Sequence, residues 1–291
     1  MKLKVFALTA VLASVASSAS AHVSYTGRDY LANGTFDGSA TYTVINQRVT
    51  SAYGWADAAD ADWGDSHRGR FARFTLTAEA DVTIKAWKQD DVAYSSGGQN
   101  LTALNDLIPA FSLYGGLLPG GAFEGGDHPD FRASHPGYLP TISYFYGKVG
   151  PREGGWNTLA GFDMSNKESE VGTLNWKNGT LTYVGHAIDG TGVDVNGDRK
   201  VDYAGDGSAD QMVSRTFRLG PGDYSVVIGG ACYGCQFTEP DSTWLAQRGF
   251  STSLTLQPVP EPGTWVLMGA GLGLLAFAAR RRTSQRPDRD A

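Results

Sequence analysis

The chain has 291 residues, with 30 Asp and Glu against 24 Lys and Arg, 38 glycines and 2 cysteines. A formal net charge of −6 disfavours nucleic acid and anionic lipid as partners and suits divalent cations. The length fits one large or two small all-β domains, with room for a substantial core.

Lys2 and Lys4 precede an apolar stretch over 5–15, and Ala19-Ser20-Ala21 supplies small residues. This order predicts a signal peptide over 1–21, cut by signal peptidase between Ala21 and His22, and hence export. From residue 22 to 257 short alternating runs recur, with β-branched and aromatic residues, at 40–45, 73–77, 82–87, 111–114, 141–146, 181–184, 214–219, 224–228 and 251–256. Glycine-rich turns separate them, and no sustained helical period interrupts them apart from a short candidate over 242–247. The fold class is therefore all-β, an antiparallel β-sandwich or jelly-roll-like body. Two segments read as variants of one hairpin. In the first, Phe74 and Leu76 lead through a polar turn to Val82 and Ile84. In the second, Phe217 and Leu219 lead through Gly220-Pro221-Gly222 to Tyr224 and Val226.

Several constellations could carry chemistry. Asp57, Asp60, Asp62 and Asp65 lie beside Trp55, Trp63 and His67, and such dense carboxylates need either water or a cation. The histidines and prolines of 127–136 read as a structured surface loop, without the HExxH spacing of a zinc helix. The strongest local signal is Asp194, Asn196, Asp198 and Asp202, with Gly197 allowing a turn and Lys200 offering its carbonyl. Oxygens at alternate places wrap a hard cation, so calcium is the expected cofactor, with Asp206 or Asp210 completing the shell. The pattern resembles the first part of an EF-hand or dockerin loop. It departs from that pattern where glycine falls at the fourth place and Gly205 stands at the twelfth. A solvated Asp/Asn/Gly turn uses the same residues, and the sequence leaves both readings open.

Cys232 and Cys235 are close in sequence among glycines, which predicts a small local disulfide in an oxidising compartment. No GxSxG elbow, P-loop or dinucleotide fingerprint stands in usable context. Abundant Trp and Tyr can stack on sugars or simply fill a core.

The C-terminus is the most specific segment. Pro260-Glu261-Pro262 is followed by an apolar run over 265–279 and by Arg280-Arg281-Arg282. A helix of that length, at about 1.5 Å per residue, reaches about 22 Å, and residues 263–264 lengthen it towards the roughly 30 Å of a hydrocarbon core. A single transmembrane helix is expected over 263–279, with the arginines on the cytoplasmic side. Triplet, span and arginine cluster together resemble the PEP-CTERM sorting signal of exopolysaccharide-producing Gram-negative bacteria. The resemblance covers the last thirty or so residues. It implies that exosortase recognises the tail in the inner membrane, cuts near Pro260, Glu261 and Pro262, and passes the protein towards the cell surface. An ordinary C-terminal anchor is the plainer alternative.

Without the two end segments the body keeps 17 basic and 27 acidic residues, because 1–21 removes two lysines and 258–291 removes five arginines and three acids. The expectation is an acidic, exported, non-enzymatic surface or matrix protein that binds exopolysaccharide or mediates adhesion through calcium-stabilised loops. A secreted carbohydrate-active enzyme using carboxylates of the acidic loops is the alternative. An ice-facing or crystal-facing protein would need a flat Thr-rich face, and no repeat along the sequence supplies one.

Overall fold

The computed structural model describes residues 23–55, 63–66, 68–119, 155–157, 162–167, 176–193, 203–232, 235, 246–259, 270–277 and 280. Residues 1–21, the Ala21–His22 junction, Asp57, Asp60, Asp62, the run 141–146, Asp194 to Asp202, Pro260 to Pro262, Arg281 and Arg282 lie outside them.

Two five-stranded sheets make the body. The first has the order β1 (Thr35–Phe36), β2 (Thr41–Thr50), β16 (Gln247–Pro258), β5 (Ala80–Lys88) and β14 (Met212–Leu219). The second has the order β10 (Phe162–Lys167), β11 (Trp176–Ile188), β8 (Pro109–Gly115), β15 (Gly222–Gly230) and β4 (Arg70–Leu76). Every pairing within the two sheets is antiparallel. Three short ribbons join β3 (Trp63–Asp65) to β9 (Gly155–Asn157), β6 (Ala93–Ser96) to β7 (Gln99–Thr102), and β12 (Gly192–Val193) to β13 (Tyr203–Ala204). One turn of helix, α1 (Tyr30–Asn33), is capped by Asp29, whose Oδ1 accepts from the Ala32 amide at 3.2 Å. Gln247, at the end of the short helix expected over 242–247, opens β16 instead.

The facing sides of the sheets share one core. Val82, Ile84, Phe217 and Leu254 come from the first sheet, and Phe74, Phe111, Leu113 and Val226 come from the second. Burying a side chain of this kind contributes about 1.5–3 kcal/mol. Alternation explains which face goes inward: along β5, Ala80, Val82, Ile84 and Ala86 are buried while Asp81, Thr83, Lys85 and Trp87 point to the other side. In β15 the residues from Tyr224 to Gly230 are all buried, as a continuous apolar run requires. The outer face of the second sheet is buried as well, where Val23, Trp55 and Ala231 cluster with Phe71, Tyr114 and Val227 of its own strands.

The two expected hairpins are not hairpins. Strand β4 pairs with β15, whereas β5 pairs with β14 and β16, so the 77–79 turn and the 220–221 turn each carry the chain from one sheet to the other. The two arches pair with each other: Val82 stands opposite Phe217 and Phe74 opposite Tyr224. An arch and a hairpin place the same apolar alternation on a buried face, so packing across the core rather than local pattern decides between them.

Candidate functional site

Ile188 ends β11 and leads into a turn that brings Asp189, Asp206 and Asp210 together at the neck of the 189–206 loop. Asp206 Oδ1 accepts from the amides of Gly190 and Ser208 at 3.1 and 3.0 Å. The two oxygens of Asp189 accept from the amides of Asp210 and Gln211, each at 3.1 Å. Asp210 accepts from the Met212 amide at 3.1 Å and from the Ser208 hydroxyl at 3.3 Å. Backbone bonds from the Asp206 amide to the Ile188 carbonyl and from the Gly207 amide to the Gly190 carbonyl complete the neck. Gly190 and Gly207 sit at φ +90° and +86°, where a side chain is strained.

Burial above all pushes the Asp189 carboxyl up from its ordinary value. The negative charges of Asp206 and Asp210 add to the rise, and the amides of Asp210 and Gln211 oppose it. The sequence marked Asp206 as a possible metal ligand, and the structure gives its Oδ1 to a loop neck. Asp194, Asn196, Asp198, Lys200 and Asp202 lie in sequence between Val193 and Tyr203, outside the described residues. Among the described residues, no three His, Cys, Asp or Glu side chains are grouped to hold a metal ion.

A second constellation was not legible in the sequence. Trp55 is fully buried on the outer face of the second sheet and donates from Nε1 to Ser112 Oγ at 2.9 Å. The His186 ring lies 5.7 Å from the Trp55 ring and 6.4 Å from that of Tyr203, and its Nδ1 is 2.5 Å from Tyr183 Oη. Burial lowers the His186 pKa, and the Arg215 charge lowers it further. Tyr183 and His186 are three residues apart on β11, but Trp55 and Tyr203 come from distant segments that no spacing connects.

Cys232 and Cys235 are joined by a disulfide with Cα atoms 5.4 Å apart. It follows β15, and the Cys232 amide donates to the Ala52 carbonyl at 3.1 Å. Residues 270–277 are helical, with Leu272, Leu274, Leu275 and Phe277 exposed, and Arg280 is exposed beyond them. Among the described residues no helix is long and apolar enough to cross a membrane, and 263–269 and 278–279 of the span expected over 263–279 lie outside the described residues.

Residues 258–282 match the PEP-CTERM protein-sorting motif. No curated protein matches the chain. Two solved structures show a weak overall likeness to the chain. One is CorA, a surface-associated copper-binding protein important in copper acquisition by Methylomicrobium album BG8, at 13% identity over 76% of this chain and 96% of that one, with a TM-score of 0.42. The other is MopE, a secreted protein of Methylococcus capsulatus in which an oxidised tryptophan facilitates copper binding. It is 13% identical over 75% of this chain and 84% of that one, with a TM-score of 0.36. The motif begins at the last residue of β16, a strand inside the first sheet, so the sandwich leads directly into the address that follows it. This chain carries the PEP-CTERM sorting motif and is an exported protein routed through exosortase to the cell surface.

Proposed function

We propose that the chain is a non-enzymatic surface or extracellular-matrix protein that binds exopolysaccharide or mediates adhesion. The observation that carries this reading is the direct continuation of β16 into the sorting motif at residue 258, which makes the sandwich the delivered part. A body delivered to the outer surface meets the cell's own secreted polymers first. Calcium belongs to the same reading, bound by Asp194, Asn196, Asp198, the Lys200 carbonyl and Asp202. The oxygen-bearing side chains at alternate places of that run support it, because a hard cation is held by several oxygen ligands.

The test is retention of the intact protein on exopolysaccharide purified from the producing host, with calcium and with EGTA. Retention in calcium is the expected result, weakened by the chelator together with a lower melting midpoint. A protein that passes through unretained in both buffers would remove the polysaccharide reading, and a melting midpoint unmoved by EGTA would remove calcium.

A further inference from the structure

The outer face of the first sheet is built differently from the rest of the molecule. Strand register places Thr41 opposite Thr255, Thr255 opposite Thr83, and Thr83 opposite Thr216. One rank of four threonines therefore crosses β2, β16, β5 and β14, over about 14 Å at the usual strand spacing of about 4.8 Å. Their hydroxyls pair at 2.7 Å, Thr41 with Thr255 and Thr83 with Thr216. Each pair uses one of its two hydroxyl hydrogens and can present the other outward. The next rank runs Thr35, Thr43, Ser253, Lys85 and Ser214 across all five strands.

Trp87 follows on the same face of β5, with Lys85 Nζ 5.5 Å from its ring centroid. On the far side of the threonine rank, Arg218 holds Asp81 through two bonds, Nε to Oδ1 at 2.9 Å and Nη2 to Oδ2 at 2.8 Å. The charged residues on and beside these ranks are Lys85 and Arg218 against Asp81 and Glu79, whose Oε1 lies 3.9 Å from Arg218 Nε, so the Arg218 charge is matched and Lys85 carries the positive charge at the centre of the face. Hydroxyl ranks, a half-buried indole and the Lys85 ammonium between them complement a polymer that carries hydroxyls, sugar faces and carboxylates. Lys85 and Trp87 interrupt the regular hydroxyl array that a crystal lattice would need.

We infer that this face, centred on Thr83, Lys85 and Thr216, binds an acidic polysaccharide. The inference rests on the polysaccharide reading above and names its surface and the charge of its ligand. The polymer lies across the strands along the threonine rank, exchanges hydrogen bonds with the hydroxyls, and brings a carboxylate to Lys85. Attraction of that kind weakens with added salt.

The intact protein, a Lys85→Glu variant and a Thr83→Val/Thr216→Val double variant should be titrated by calorimetry with polygalacturonate and with neutral dextran, after a check of melting. Polygalacturonate is expected to bind in preference to dextran. Binding should fall at least tenfold in Lys85→Glu and several-fold in the double variant, at unchanged melting midpoint. Should one variant lose its fold, the other decides. Variants that bind polygalacturonate as the parent does would overturn this surface while leaving polysaccharide binding intact. Preference for dextran would overturn the acidic ligand. A parent that binds neither polymer and dimerises, with the dimer split by Lys85→Glu, would assign the face to a second copy. A parent that also fails to bind the host's own exopolysaccharide would remove the underlying reading as well.

Discussion

Gly229 shows how one missing side chain shapes the covered face of the second sheet. A Cβ at Gly229 would lie 2.7 Å from the Trp55 amide nitrogen and 3.0 Å from its Cα, both backbone atoms that cannot swing away. Gly229→Ala should lower stability by about 1–3 kcal/mol, the usual cost of overpacking. Gly220→Ala meets nothing within 4 Å and should stay within about 0.5 kcal/mol of the parent. Denaturant midpoints of the two variants check the contrast. His186 makes the pH prediction. Its folded pKa lies below the ordinary value of 6.5, so between the two values the unfolded chain binds more protons. Its contribution is fully present above pH 6.5 and is lost as pH falls through the folded value. Melting midpoints between pH 7.5 and 5 should therefore drop more steeply for the parent than for His186→Gln. The meeting of Trp55 and Tyr203 with His186 was not legible in the sequence, because only the fold brings these distant segments together on the second sheet.

Alternation located the strands well. Residues 82–87, 214–219 and 224–228 fall within β5, β14 and β15, and 251–256 within β16. The same alternation misled about their connections, since β4 to β5 and β14 to β15 are arches rather than hairpins. Local turn chemistry carries no record of which sheet a strand joins next. Strand position also predicts local stability. Strands β2, β5, β8, β11, β15 and β16 each have neighbours on both sides, whereas the β6 and β7 ribbon stands apart and is mostly exposed. Amide hydrogen exchange should be slowest in these six inner strands and fast in Ala93–Ser96 and Gln99–Thr102. Equal protection in the ribbon would contradict that ordering. The threonine ranks belong to this scale too. No repeat along the chain spells them, because their members come from strands far apart in sequence and meet only through register.

At the scale of the molecule, the sorting motif and the sandwich are written in different physical languages. Exchanging Glu261 for Ala in the native host should strand the protein in the inner-membrane fraction and deplete it from the cell surface, as read by fractionation and immunoblot. Unchanged surface delivery would show that the triplet's carboxylate is dispensable. Pro260-Glu261-Pro262 and Arg280-Arg281-Arg282 are read by other proteins as a linear order of residues, so the sequence by itself determined the address. It also determined the all-β class, since period-two alternation is a local property of the chain. Only the tertiary structure decided that β4 pairs with β15, that Asp206 helps close a loop neck, and that threonines from four strands share one outer face. Those choices depend on which buried surfaces meet across the core, and that free energy is set by residues distant in sequence rather than by their neighbours.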